Sequence, residues 1–197
     1  MGRKSLNTER KKSIIKAFYD VAKREGLENA SIAKVAKEID VNPSLVIHYF
    51  KTKRDLLDGL IEFILQQYIG IYNPNGGTLD LKARLVKIIE NLFSRKWDKL
   101  IDDGVFYSSF SLIFRDKKLR HQYKNMHDRL RGIFADTLSE AKQKGIIKVD
   151  SVEKTADIIF VLVEGAYYCL SMVSNKVEYN KRMLLYRQTA LQILGLA

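Results

Sequence analysis

The chain carries a single cysteine, Cys169, among 197 residues, so no intrachain disulfide can form and the fold must be held by packing. One thiol and no bridge fit a reducing compartment, and the expected location is the cytoplasm. Two prolines and 11 glycines leave little punctuation, and the composition leans towards helices. No apolar run reaches the roughly 18 residues of a membrane span. The most apolar stretch, Ile158 to Val173, has Glu164 near its middle and reads as a buried helix, so no membrane association is expected. The start, Met1-Gly2-Arg3-Lys4-Ser5, is followed by polar residues instead of the apolar core of a signal peptide. Histidine is scarce too: His48, His121 and His127. The last two are six apart, on different sides of a helix, which argues against a paired metal site. There is no glycine-rich phosphate loop, zinc-protease helix motif or nucleophile elbow. No catalytic residue, metal or cofactor is therefore assigned, and the chain is not expected to be an enzyme. A lone cysteine in an apolar run reads as inert core.

The sequence does hold enough apolar material, 46% of residues, to bury a core. It also has a strong positive bias, with a net charge of +11 and a pI near 9.6. That charge favours polyanionic partners, either nucleic acid or an anionic membrane surface. It is unevenly placed: residues 1 to 53 hold twelve Lys/Arg against six Asp/Glu, which marks the amino-terminal end as the polyanion-binding end.

Apolar spacing predicts an all-α fold of about nine helices. Asn7 or Thr8 caps the first, which runs to Glu25 with Ile14, Phe18, Val21 and Ala22 on one stripe, and Gly26 stops it. Ser31 caps a short second helix carrying Ile32, Val35, Ala36 and Ile39, broken at Asp40-Val41-Asn42. Asn42 caps the third, with Pro43 in its first turn and Val46, Tyr49 and Phe50 facing inward. Thr52 caps a fourth, whose stripe of Leu57, Leu60, Ile61, Ile64 and Tyr68 continues to Tyr72. A loop follows at Asn73-Pro74-Asn75-Gly76-Gly77. Five more helices are predicted at 79–101, 103–115, 117–144, 151–175 and 178–195. Gly145 stops the long one, and Asp150 with Glu153 forms a capping pair for the next.

Two short helices joined by a tight turn, with a longer helix behind them, form a tri-helical helix-turn-helix pattern. The left-handed position of the turn falls on Asp40, a residue that tolerates it better than most. The block Ser31-Ile32-Ala33-Lys34-Val35-Ala36-Lys37-Glu38-Ile39-Asp40-Val41-Asn42-Pro43-Ser44-Leu45-Val46-Ile47-His48-Tyr49-Phe50-Lys51-Thr52-Lys53-Arg54-Asp55-Leu56-Leu57 resembles the signature of the TetR family of transcriptional regulators. With the first helix the resemblance covers about 50 residues. It departs at Asp40, where glycine is common, at Ser44, where a small residue or glycine is common, and at Ile47, where tyrosine is frequent.

The resemblance implies a helix-turn-helix DNA-binding domain at 1–53 and a ligand-binding and dimerisation domain at 54–197. It implies that Pro43, Ser44, Leu45, Ile47 and His48 face the major groove, with Asn42 opening that helix, and that Ser31, Tyr49 and Lys53 sit near phosphates. Lys34, Lys51, Lys53 and the Arg3-Lys4 arm suit phosphate contact by their charge. Leu45 and Ile47 suit thymine methyls, and Ser44 or His48 suit base edges. The helix interior lacks Arg, Asn and Gln, so half-sites containing A·T pairs and readout through methyl contacts and DNA shape are expected.

Ile158-Ile159-Phe160-Val161-Leu162-Val163 is apolar on every helical face, more than one chain is expected to cover. The resemblance implies a homodimer through the last two helices, a palindromic double-stranded DNA operator and a small-molecule effector whose binding relieves repression. Candidate ligand-binding residues are Trp97, Phe106, Tyr107, Phe110, Phe114, Tyr123, Phe160, Glu164, Tyr167 and Tyr168, which combine apolar walls with polar tips. A carboxylate at Glu164 inside an apolar run needs a partner, a cation or a raised pKa. The segment from Ala83 to Ile147, with Glu164-Gly165, is similar to the branch of the family that includes the choline-responsive repressor. That similarity implies a cationic ligand held against Trp97 and the tyrosines by cation–π attraction. The other reading of the same charge is a non-catalytic basic helical adaptor that binds an anionic membrane or protein partner.

Overall fold

A computed structural model describes residues 3–72, 74, 79–94 and 100–197, with the side chains of residues 3–5 outside the description. Among the described residues there are nine α-helices and no strand: α1 (Arg3–Glu25), α2 (Ile32–Glu38), α3 (Pro43–Tyr49), α4 (Lys53–Tyr72), α5 (Leu81–Leu92), α6 (Asp103–Ser111), α7 (Lys117–Gln143), α8 (Val152–Leu170) and α9 (Lys176–Ile193). A 3-10 turn, Leu112–Phe114, follows α6. No helix of the described residues is long and apolar enough to cross a membrane.

The chain divides into two compact units, Met1–Gln66 with Ile101–Met126, and Gln67–Leu100 with His127–Ala197. In the first unit, α1 buries Ile14, Phe18, Val21 and Ala22 along the predicted stripe. The helix starts at Arg3, not at Asn7 or Thr8, because nothing before those residues breaks a helix. Gly26 takes the left-handed conformation, φ 87°, that ends it. Gly59 of α4 has a different role: a Cβ there would meet the end of the Ile15 side chain at 2.4 Å, so any larger residue has to push Ile15 aside where α4 passes α1.

Ser31 caps α2 by accepting from the Lys34 N–H at 3.3 Å. The α2 exit has the 6→1 and 5→2 bonds of a Schellman motif, Val41 N–H to the Ala36 carbonyl at 2.9 Å and Asp40 N–H to the Lys37 carbonyl at 3.3 Å. Asp40 sits at its left-handed position, φ 50°. Asn42 Oδ1 accepts from the Ser44 N–H at 2.9 Å and Pro43 occupies the first turn of α3. Thr52 and Asp55 form a reciprocal capping box at the start of α4, with bonds of 2.9 and 3.1 Å.

Also in the first unit, the Asp102 N–H donates to the Tyr19 hydroxyl at 2.9 Å. Arg54 bonds Asp58 at 3.0 Å and pairs with Asp116, while Lys118 reaches Asp58 at 2.6 Å. Burial alone would raise the Asp58 pKa, but the bonds from Lys118 and Arg54 outweigh it and hold the carboxyl below its ordinary value.

In the second unit, the part of the predicted 79–101 helix at 95–99 lies outside the described residues, and α5, capped by Asp80, ends at Leu92. The reason is a distant side chain. The Tyr167 hydroxyl shares its one proton between the carbonyls of Leu92 at 2.8 Å and Ser94 at 2.9 Å, and accepts from the Ser94 N–H at 3.2 Å. With those backbone groups satisfied, the chain need not continue as helix there. Helix α8 is capped by Ser151, which accepts from the Lys154 N–H at 3.2 Å, and not by Asp150. It stops at Leu170 instead of 175. Asn175 then caps α9, which starts two residues before the predicted 178. Within the unit α9 packs on α8 and α5.

Candidate nucleic-acid interface and effector site

The outer face of α3 is set by what its inner face buries. Val46 is fully buried and Phe50, just past the helix, nearly so, which turns Asn42, Pro43, Ser44, Ile47 and His48 to solvent and leaves Leu45 and Tyr49 half-buried. The His48 and Tyr49 rings meet edge to face at 5.0 Å. The cap and turn bonds that position this face are local: Asn42 to Ser44, and the Phe50 N–H to the Val46 carbonyl at 2.8 Å.

The basic residues predicted near phosphates do not all stand alike. Lys51 is exposed. Lys34 pairs with Glu25 at 2.7 Å, and Arg24 reaches Glu38 at 2.8 Å, two ion pairs that tie α1 to α2. Hydrogen bonding from Lys34 and Arg24 holds the Glu25 carboxyl below its ordinary pKa. Lys53 donates to the Glu28 carbonyl at 2.8 Å, and partial burial lowers its ammonium pKa. These anchors between residues far apart in the chain have no signal in local sequence.

The predicted ligand-binding residues fall into two groups. Phe106, Phe110 and Tyr123 cluster in the first unit, ring centroids 5.4 to 6.2 Å apart, with Tyr107 at 5.3 Å from Phe106. The Ser109 hydroxyl donates to the Phe106 carbonyl at 2.9 Å, so the 2.6 Å contact with Tyr123 is donated by the tyrosine. Phe114 lies 6.4 Å from Phe110 but is 73% exposed. Phe160, Glu164 and Tyr167 belong to α8 in the second unit. Tyr168, one residue further, is 60% exposed because a neighbouring position points about 100° away on a helix. Trp97 lies outside the described residues.

In the second unit sequence reasoning missed His127, Arg131 and Tyr72. The His127 ring packs against Phe160 at 5.3 Å. Burial, with the Arg131 charge adding to it, pushes its pKa down to about 4. The Arg131 guanidinium also lies 5.3 Å from the Phe160 ring centroid, while bonding Asp157 at 2.6 Å and Asp128 at 2.7 Å. Glu164 keeps some exposed surface, yet loss of water pushes its carboxyl up to about 7. Burial, with the Glu164 charge adding to it, raises the pKa of the Tyr72 hydroxyl. The only hint available beforehand was the anomaly of Glu164 in an apolar run.

Among the described residues, the surface cavities of the second unit include two along its helices. One, of about 440 Å³, runs between Arg131, Gly132 and Ala135 of α7 and Glu153, Ala156 and Asp157 of α8. The other, about 490 Å³, lies along α9 beside Leu184 and Leu185. Neither is lined by the predicted aromatic residues. Among the described residues no group of His, Cys, Asp or Glu side chains is arranged to hold a metal ion.

An apolar row is left uncovered on α8, with Ile158 55%, Val161 61%, Tyr168 60% and, just beyond, Met172 68% exposed. Val177, Leu184 and Leu185 of α9 are exposed as well. Cys169, expected as inert core, is exposed beside this row.

Comparison with known proteins agrees with this arrangement. Residues 14–60 match the model described as bacterial regulatory proteins of the tetR family. Residues 80–196 match a tetracyclin repressor-like C-terminal domain. The chain is 26% identical to the nucleoid occlusion factor SlmA of Actinobacillus pleuropneumoniae, over 97% of this chain and 94% of that protein. It is 28% identical to the HTH-type transcriptional regulator BetI of Vibrio campbellii, over 80% of this chain and 78% of the other. A TetR transcription regulator from Haloarcula marismortui has the same fold, with a TM-score of 0.79 at 17% identity, over 95% of this chain and 97% of that one. A helix-turn-helix with an open outer face, joined to a helical remainder that matches the family's C-terminal domain, is a DNA-binding transcriptional regulator and not an enzyme: the chain belongs to the TetR family.

Proposed function

We propose that the chain is a homodimeric repressor that holds a palindromic operator through α2 and α3 and releases it when a small molecule binds in the second unit. The observation that carries this reading is the outer face of α3, where Pro43, Ser44, Ile47 and His48 are exposed while the residues behind them are locked into the core. DNA reading resides in residues 1–53, with Asn42, Pro43, Ser44, Leu45, Ile47 and His48 towards bases and Ser31, Lys34, Tyr49, Lys51 and Lys53 towards phosphates. Effector binding and dimerisation reside in 54–197.

The exposed Ile158, Val161 and Tyr168 of α8 and Leu184 and Leu185 of α9 support pairing of α8 and α9 with their two-fold mates, because this many large apolar side chains on two helices are seldom left in water. Pairing sets two recognition helices about 34–36 Å apart, one helical turn of DNA. The effector site centres on Phe160 and Glu164, with Tyr72 and His127 nearby, and suits a cation, since a carboxyl stripped of water binds its proton or a positive charge. A population shift between DNA-competent and effector-bound states then lowers operator affinity.

Footprinting on DNA upstream of the chain's own gene tests the reading. A regulator protects a two-fold symmetric site that resists competitor DNA; salt-sensitive retention without a defined site returns the basic adaptor reading. The 26% identity to a nucleoid occlusion factor across almost the whole chain favours a second reading, a DNA-binding factor that acts on the nucleoid instead of at one promoter. Mapping bound sites genome-wide separates it from a promoter-bound repressor.

A further inference from the structure

We infer that Ile47 reads the 5-methyl group of a thymine in each operator half-site. The inference rests on α3 entering the major groove, as proposed above, and adds what that helix recognises there.

Ile47 is the one large aliphatic side chain of α2 and α3 left exposed, with 47% of its surface open. On the opposite side of the same helix Val46 is fully buried, so the exposure of Ile47 follows from helix geometry and not from loose packing. Its neighbours one turn back on α3, Pro43 and Ser44, bring no second large aliphatic group.

The polar capacity of this face is small. Pro43 has no N–H, and the Ser44 N–H is already taken by Asn42 Oδ1 at 2.9 Å. What projects is the Asn42 amide at the helix start, the Pro43 ring, one hydroxyl at Ser44, one imidazole at His48 and the branched hydrocarbon of Ile47. Among the groups that base edges show in the major groove, mostly donors and acceptors, the 5-methyl of thymine is the one projecting hydrocarbon group, standing beside the O4 acceptor of the same base. Set against a guanine, cytosine or adenine edge, Ile47 strips water from a polar group and offers no partner. Set against thymine, both hydrocarbon surfaces leave water together. The side chain therefore discriminates by penalising three bases and rewarding one.

The test uses the full chain and the duplex it selects from a random pool. Each thymine of the half-site is replaced in turn by deoxyuridine, which keeps O4 and the pairing and removes only the methyl. At one position per half-site the loss is expected to be about fourfold in affinity, about 0.8 kcal/mol for one methyl-sized group. Ile47→Ala, whose side chain lies outside the core and whose melting temperature should match the parent's, loses that dependence at the same position and no other. Placing 5-methylcytosine at that position in a C·G operator recovers part of the affinity for the parent and none for Ile47→Ala. Methyl dependence that survives Ile47→Ala, or a selected operator indifferent to every deoxyuridine, overturns the role of Ile47 and leaves the operator reading standing. A pool from which no sequence is enriched overturns both.

Discussion

Lys53, the first residue of α4, donates its ammonium to the backbone carbonyl of Glu28 at 2.8 Å, so a residue assigned to phosphate contact also closes the loop between α1 and α2. An ammonium has three donors, and one bond leaves two to face DNA. The carbonyl bond fixes where that charge sits, which is what a phosphate partner requires.

Removing the charge should therefore show twice. Lys53→Met is expected to lower stability by about 1 kcal/mol, the worth of one hydrogen bond at a partly exposed site, read by urea denaturation. In the same variant the slope of log K against log salt should flatten by about one unit for each phosphate that Lys53 neutralises in the parent. A drop in stability with an unchanged slope would leave Lys53 purely structural.

Asp40 holds φ 50° at the turn between α2 and α3, a region that costs most L-residues about 1–2 kcal/mol and Asp less. Asp40→Val should lower stability by about 1–2 kcal/mol, since a β-branched side chain fits that region badly. Asp40→Gly should stay within about 0.5 kcal/mol of the parent, because relief of strain and the entropy of a freer unfolded chain nearly cancel. Denaturation midpoints of the three proteins decide it.

Burial lifts the Glu164 carboxyl from 4.5 to about 7, so the folded state holds a proton that the unfolded state has released. Stability attributed to this group is full below about pH 4.5 and is lost as pH rises towards about 7. Glu164→Gln removes that dependence while keeping the shape. Its melting temperature is expected to gain on the parent's as pH rises from 5 to 8, and to stay parallel above that. A constant difference across the range would mean the carboxyl is already solvated.

The Tyr167 hydroxyl serves three backbone groups at Leu92 and Ser94. Tyr167→Phe removes these bonds at a largely buried place, which should cost about 1–3 kcal/mol. Hydrogen exchange at the end of α5 should speed up, with α1 to α3 unaffected. Uniform acceleration throughout the chain would point to global loosening instead.

The helix-turn-helix was readable because its determinants are local. Ser31, Asn42, Thr52 and Gly26 cap or stop helices through bonds to residues two to four places away, and the stripes Ile14–Ala22 and Val35–Ala36 repeat at helical spacing. The same residue types misled at the edges. Asp150 and Ser151 both suit a cap, and the competition between adjacent candidates is settled by backbone geometry that a string of letters does not contain.

Residue order alone was enough for an all-helical chain with two short capped helices joined by a tight turn, since periodicity and caps act over one turn. Folding in three dimensions settled where α5 stops, which lysines are anchored, and how the aromatic residues sort into separate clusters. Those outcomes depend on groups that meet across separations such as 75 residues, Tyr167 to Leu92, or 25, Lys53 to Glu28. No local pattern encodes such meetings, because the free energy that selects them belongs to the packed chain as a whole.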